Sequence, residues 1–182
     1  MLSNINVLDL TNESIWISAN SDPITLLLNK IGELDTGIQQ QLWIQTNIED
    51  WNALMIALRY QTDPDVMTLA LNQIGDLDKG IQEQLWLHSN KNDWNTLMFT
   101  LQYQTDTNTT TLVLNQIGGL DPGVQQQLWL QNNKDGWNAL MFALQYQTDL
   151  AVITLALNQI GEFDPGIQEQ LWLKTNIEDW NA

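Results

Sequence analysis

Residues 114–149 read LNQIGGLDPGVQQQLWLQNNKDGWNALMFALQYQTD, and nearly the same text recurs through most of the chain. Its clearest marker is the tryptophan of the QLW triplet, found at Trp43, Trp86, Trp129 and Trp172 in steps of 43 residues. A second tryptophan keeps the same step at Trp51, Trp94, Trp137 and Trp180, and no insertion or deletion breaks the register. Fixed self-similarity of this length is the mark of units that stack, each burying its apolar face against the next.

Within a unit the periodicity is helical. Ile24, Leu27, Leu28 and Ile31 are spaced i, i+3, i+4 and i+7, and the later copies hold Met67, Ala70, Leu71 and Ile74, then Thr110, Val113, Leu114 and Ile117, then Ile153, Ala156, Leu157 and Ile160. This is the stripe of a first helix with one buried face. Gly32, Gly75, Gly118 and Gly161 follow its last apolar residue, where a left-handed C-terminal cap is expected. Asp35, Asp78, Asp121 and Asp164 then signal a second, short helix, with Pro122 and Pro165 at a first-turn position that tolerates proline. Asn47, Asn90, Asn133 and Asn176 lie four residues after the QLW tryptophans and predict the N-cap of a third, longer helix that carries Trp51, Leu54, Met55 and Leu58 on one face. Thr62 or Asp63 is expected to cap the first helix of the following unit. A β-propeller reading of the QLW segment is weaker, because the first and third helical stripes both run for ten or more residues.

Residues 1–20 depart from the repeat and read as an N-terminal cap, with Thr11 expected to start a short helix through Ile17. Residues 21–182 divide as about 21–63, 64–106, 107–149 and an incomplete 150–182, which stops one turn into its third helix. Leu171 and Trp172 would then lie near an uncovered apolar end, so homo-oligomerisation through the C-terminal repeat is an expectation.

Composition restricts the partners. The chain has 182 residues, 43% of them hydrophobic, with six Lys plus Arg against 22 Asp plus Glu and a net charge of −16. Such a surface repels nucleic-acid phosphates and anionic lipids and favours a basic or neutral partner. There is no cysteine, which excludes disulfides and thiolate chemistry. No apolar run long enough to span a bilayer and no secretory start are visible, so a cytoplasmic protein is expected.

A period of 43 with three helices lies in the range of armadillo and HEAT arrays. Gln41-Leu42-Trp43-Ile44-Gln45-Thr46-Asn47-Ile48 resembles the armadillo third helix, in which an asparagine follows a tryptophan by four residues. The resemblance implies that Asn47, Asn90, Asn133 and Asn176 hold the backbone of an extended peptide while Trp43, Trp86, Trp129 and Trp172 make slots for its side chains. Helix capping and inter-repeat core are the local alternatives for the two rows.

Catalytic chemistry finds no footing. The single histidine, His88, is replaced by Gln45, Gln131 and Lys174 in the other copies. Asp76-Leu77-Asp78-Lys79-Gly80 lacks the glycine and the acid that a calcium loop needs at positions six and twelve, which hold Ile81 and Leu87. No metal or other cofactor is expected. Rows of amides remain: Gln41, Gln84, Gln127, Gln170 and Asn29, Asn72, Asn115, Asn158 beside the asparagines already named. The sequence thus predicts an all-α fold, a right-handed α-solenoid of 43-residue three-helix repeats. Its expected role is a non-enzymatic scaffold for a protein or extended peptide, with a carbohydrate-binding array, a self-assembling array or a repeat-built substrate of a partner enzyme as alternatives.

Overall fold

The computed structural model describes residues 9–17 and 20–182. Among these residues every regular element is helical. A 3-10 turn at Glu13–Ile15 precedes α1 (Asp22–Gly32), α2 (Thr36–Ile44) and α3 (Ala53–Tyr60). The triplet then recurs as α4 (Pro64–Gly75), α5 (Lys79–Leu87) and α6 (Thr96–Tyr103), and as α7 (Thr107–Gly118), α8 (Pro122–Leu130) and α9 (Ala139–Tyr146). The last helices are α10 (Leu150–Gly161) and α11 (Pro165–Leu173).

Each helix packs on its counterpart one period later. α1, α4, α7 and α10 form one row, α2, α5, α8 and α11 a second, and α3, α6 and α9 a third. The third row is the most apolar: every residue of 53–58 in α3 and of 96–101 in α6 is buried. Trp43, Trp86 and Trp129 lie in the core with 0% of their surface accessible. Trp172, in the outermost helix of its row, remains 38% accessible.

Several local expectations are corrected. Helices α3, α6 and α9 are the shortest of each triplet, not the longest, and they start at Ala53, Thr96 and Ala139. Their N-caps are Asn52, Asn95 and Asn138, whose Oδ1 accepts the amides of Met55, Met98 and Met141. Asn47, Asn90 and Asn133 are therefore not helix caps, and residues 180–182 are not helical. Gly32 and its equivalents are the last helical residues and do not adopt a left-handed conformation, which among the glycines is confined to Gly136. Gly32 and Gly118 have another reason to be small. A Cβ on Gly32 or Gly118 would sit 3.1 Å from Nε2 of Gln73 or Gln159.

Those glutamines belong to seams that tie successive units. Gln73, Gln116 and Gln159 donate through Nε2 to the carbonyls of Leu28 (2.5 Å), Leu71 (2.8 Å) and Leu114 (2.5 Å). Asn52, Asn95 and Asn138 donate through Nδ2 to Leu85, Leu128 and Leu171. Gln104 and Gln147 donate to Leu58 (2.5 Å) and Leu101 (2.6 Å), and Gln61 to the carbonyl of Trp16 (3.3 Å). A buried carbonyl left without a donor would cost about 1–3 kcal/mol, so the donated amides offset a penalty that stacking would otherwise carry, although Gln73, Gln116 and Gln159 each bury their own Oε1 without a partner. The amides that form these ladders are not the Asn29, Asn72, Asn115, Asn158 row, which is exposed.

At the N-terminal side the 3-10 turn is capped by Asn12, whose side chain accepts from Ser14, while Thr11 bonds Asp9 instead. Leu10 and Trp16 are buried, and the Trp16 ring lies 6.3 Å from that of Trp43. Residues 1–8 and 18–19 of the predicted cap lie outside the described residues. Asp63, the N-cap of α4, also accepts the hydroxyl of Ser21 across a seam, and Asp149 accepts that of Thr107 at 2.7 Å. The intervening seam has Pro64 at this position and no hydroxyl to give.

Candidate functional site

Residues 47–51 read NIEDW, and their equivalents read NKNDW, NKDGW and NIEDW. Each forms a tight loop after the second helix of its unit. The asparagine Oδ1 accepts two amides, those of Glu49 and Trp51 at 2.9 and 3.0 Å in the first copy and those of Asn92 and Trp94 at 2.9 and 3.0 Å in the second. Its own amide donates to the carbonyl of the tryptophan, closing the loop. The fourth loop residue carries a left-handed backbone, with φ of 59° at Asp50, 61° at Asp93, 81° at Gly136 and 60° at Asp179. Aspartate and glycine tolerate that conformation better than bulkier residues.

Adjacent loops are themselves joined. Lys91, Lys134 and Ile177 donate their amides to the carbonyls of Glu49, Asn92 and Asp135, at 3.2, 3.1 and 3.0 Å. The tryptophan that ends each of the first three loops is held in fixed register before the third helix begins.

This register places Trp51, Trp94 and Trp137 half-buried beside the third-helix row. Each packs on the tyrosine that ends its own helix: Trp51 on Tyr60 at 6.4 Å and 25°, Trp94 on Tyr103 at 6.3 Å and 28°, and Trp137 on Tyr146 at 6.3 Å and 38°. Buried phenylalanines join one pair to the next. The Phe99 ring is 4.9 Å from Trp51 and 5.4 Å from Trp94, and the Phe142 ring is 4.7 Å from Trp94 and 5.2 Å from Trp137. The result is a continuous aromatic ladder whose exposed rungs are tryptophan and tyrosine.

The guanidinium of Arg59, the chain's single arginine, lies 4.9 Å from the Trp51 ring, 5.3 Å from Tyr60 and 4.8 Å from Tyr103. Such a cation is held by the electron-rich ring faces. Burial pushes the Tyr60 hydroxyl above its ordinary titration range, with Arg59 opposing the shift. A crevice of about 340 Å³ opens here, lined among others by Trp51, Arg59, Asn90, Trp94, Tyr103 and Lys134. A corresponding crevice two periods further on is lined by Trp137, Gln145, Asn176 and Trp180.

The residues singled out in the sequence separate into two groups. Asn90, Asn133 and Asn176 are 5% accessible, and Asn47 is half-buried; all four commit their side-chain oxygen to loop amides. Asn90 and Asn176 border the crevices without offering that oxygen. Trp43, Trp86 and Trp129 have no accessible surface and make no slots; of that row only Trp172 reaches solvent. The structure therefore does not bring the two predicted rows together on one surface. The row that does line it, Trp51, Trp94 and Trp137 with their tyrosines, was expected on a helix face. The available signal was the second asparagine of each copy, Asn52, Asn95 and Asn138, which stands directly before the apolar run and marks the true helix start.

His88 lies at a seam, its Nε2 2.6 Å from the carbonyl of Asp50, and Gln131 takes the same place one unit on, donating to Asp93. Among the described residues no group of three His, Asp or Glu side chains is placed to hold a metal ion, and no helix is long and apolar enough to cross a membrane. Comparison of the chain with known protein families, with curated proteins and with solved structures finds no match.

Proposed function

We propose that this chain is a right-handed α-solenoid of 43-residue three-helix repeats, and that it acts without catalysis by binding an extended segment of another protein along the ladder of Trp51, Trp94 and Trp137. The observation that carries this reading is the contrast between two tryptophan rows of equal period: the first three members of one are wholly buried, while those of the other are half-exposed and braced from behind by Phe99 and Phe142. Half-exposed tryptophan held rigidly by its neighbours supplies large contact area at little entropic cost, which is what dominates binding interfaces. The net charge of −16 repels anionic partners at long range and leaves basic or neutral ones free to approach.

A protein segment suits the strip better than a sugar. Sugar recognition needs several free amides around each ring to bond hydroxyls, and Asn90 and Asn133 already give their Oδ1 to the loops. Apolar side chains make no such demand.

The reading is tested by capturing partners from a lysate on the wild-type chain, on Trp94→Leu and on Asn72→Ala, the last changing an exposed residue of the first-helix row. A partner retained by wild type and Asn72→Ala and lost by Trp94→Leu supports it, provided circular dichroism shows the fold intact. Partners indifferent to Trp94 and lost by Asn72→Ala would move the binding face elsewhere.

A further inference from the structure

The spacing of the ladder argues against a β-strand lying along it. Phe99 touches both Trp51 and Trp94, and Phe142 both Trp94 and Trp137, so the exposed rungs follow the pitch of packed helices, roughly 10 Å. A β-strand rises about 3.3 Å per residue and turns alternate side chains to opposite faces, so its same-face residues recur at about 6.6 or 13 Å and miss the rungs. A polyproline II helix has three residues per turn at about 3.1 Å each, which returns one face about every 9 Å. That period fits one rung per turn.

The chemistry of the strip agrees with the period. Polyproline II backbone makes no internal hydrogen bonds, is satisfied by water, and asks nothing of the surface beneath it but apolar contact. Of the polar groups beside the rungs, the Asn47, Asn90 and Asn133 oxygens each hold two amides. The near-parallel Trp51–Tyr60 and Trp94–Tyr103 pairs present flat rings of the kind on which prolines pack.

Charge marks one end. In a chain of net charge −16, two of its six cations, Arg59 and Lys134, line the same crevice as Trp51 and Trp94, together with Asp135. Arg59 occurs in the first unit only; Gln102 and Gln145 hold its position in the next two. No carboxylate of the described residues lies within 4.0 Å of the Arg59 guanidinium to form an ion pair.

We propose that the aromatic ladder binds a proline-rich segment in the polyproline II conformation, with prolines every third residue on Trp51, Trp94 and Trp137 and one acidic residue against Arg59 and Lys134. This rests on the ladder being the binding face. The acidic residue sets the direction and register of the segment, because later rungs offer it glutamine.

The test is a selection of random twelve-residue peptides displayed on phage against the wild-type chain, followed by titration of the enriched sequences on purified wild type, Trp94→Leu and Arg59→Gln. Arg59→Gln installs the residue that the second and third units already carry, so it preserves the fold even where Trp94→Leu does not; thermal melts of both variants establish this. The expected result is enrichment of prolines at a spacing of three with one Asp or Glu near an end. Affinity then falls about tenfold or more on Trp94→Leu and on Arg59→Gln. Enriched peptides that need Trp94 but repeat apolar residues every second position, or at i, i+4 and i+7 like a helix, overturn the polyproline inference and leave the ladder as the binding face. Peptides that bind all three proteins equally overturn both.

Discussion

The side chain of Asn95 donates to the carbonyl of Leu128 across 2.9 Å, joining the start of one helix to the end of another in the following unit. The same side chain accepts the amide of Met98 at 3.0 Å and so caps its own helix. One amide thus performs a local and a long-range task, and its burial at 0% accessibility makes both costly to lose.

Asn95→Ala removes the cap and strands the Leu128 carbonyl, and is expected to destabilise the chain by about 2–4 kcal/mol in urea unfolding. Asn92→Ala, three residues away and exposed, is expected to change stability by less than about 0.5 kcal/mol. Equal costs for the two would contradict the seam.

Gly118→Ala would press a methyl group to 3.1 Å from Nε2 of Gln159, which is pinned to the Leu114 carbonyl at 2.5 Å. A loss of about 1 kcal/mol is expected. At Gly161, in the same place one unit later, nothing lies within 4 Å of the position a methyl would take, and Gly161→Ala is expected to be neutral or to stabilise by about 0.5 kcal/mol. Thermal midpoints of the two variants should move in different directions or by clearly different amounts.

Gly136 combines φ of 81° with a backbone approach: a Cβ there would be 2.9 Å from Cα of Asn176. Gly136→Ala is expected to cost about 2 kcal/mol or more by combined strain and collision. Asp93→Gly, at the equivalent left-handed position with φ of 61°, is expected to relieve strain and to cost nothing in the same unfolding experiment.

The Ser21 hydroxyl, together with the amides of Asp65 and Val66, holds the Asp63 carboxyl below the usual carboxylate range, and the Thr107 hydroxyl does the same for Asp149 with the amide of Ala151. A folded-state value below the unfolded one means that the unfolded chain binds protons first on acidification. The stabilisation is therefore present above about pH 4 and is lost as pH falls through the depressed folded values. Both carboxyls lie at the surface, so the effect is small. Thr107→Val should lower stability at neutral pH and flatten the fall in stability between about pH 4 and pH 3, as followed by urea midpoints across that range.

Much of the fold is written locally. The Ile24, Leu28 and Ile31 stripe, the Asp35 and Asp121 caps and Pro122 at a first helical turn depend on neighbours a few residues away, and they lie where the sequence predicts. The candidate site is less legible because its determinants are tertiary. Asn47 and Asn52 are both asparagines before an apolar run, and only the loop closed by Asn47 and Trp51 assigns the helix start to Asn52. That shift of five residues removes Trp51 from the helix and sets it beside Tyr60 at the surface. Likewise, nothing local separates Trp43 from Trp51: burial of the first depends on packing of α2 against its neighbours. The repeated glutamines look alike in sequence, yet Gln116 spans a seam while Gln127 faces solvent.

The nine tryptophans offer a direct test of the ladder as the binding face, because each carries one indole N–H that is resolvable by nuclear magnetic resonance. Addition of an enriched peptide to the labelled chain is predicted to shift the indole signals of Trp51, Trp94 and Trp137 and to leave those of Trp43, Trp86 and Trp129 in place. Shifts confined to Trp172 and Trp180, or none at any of the three ladder tryptophans while the peptide binds, would contradict it.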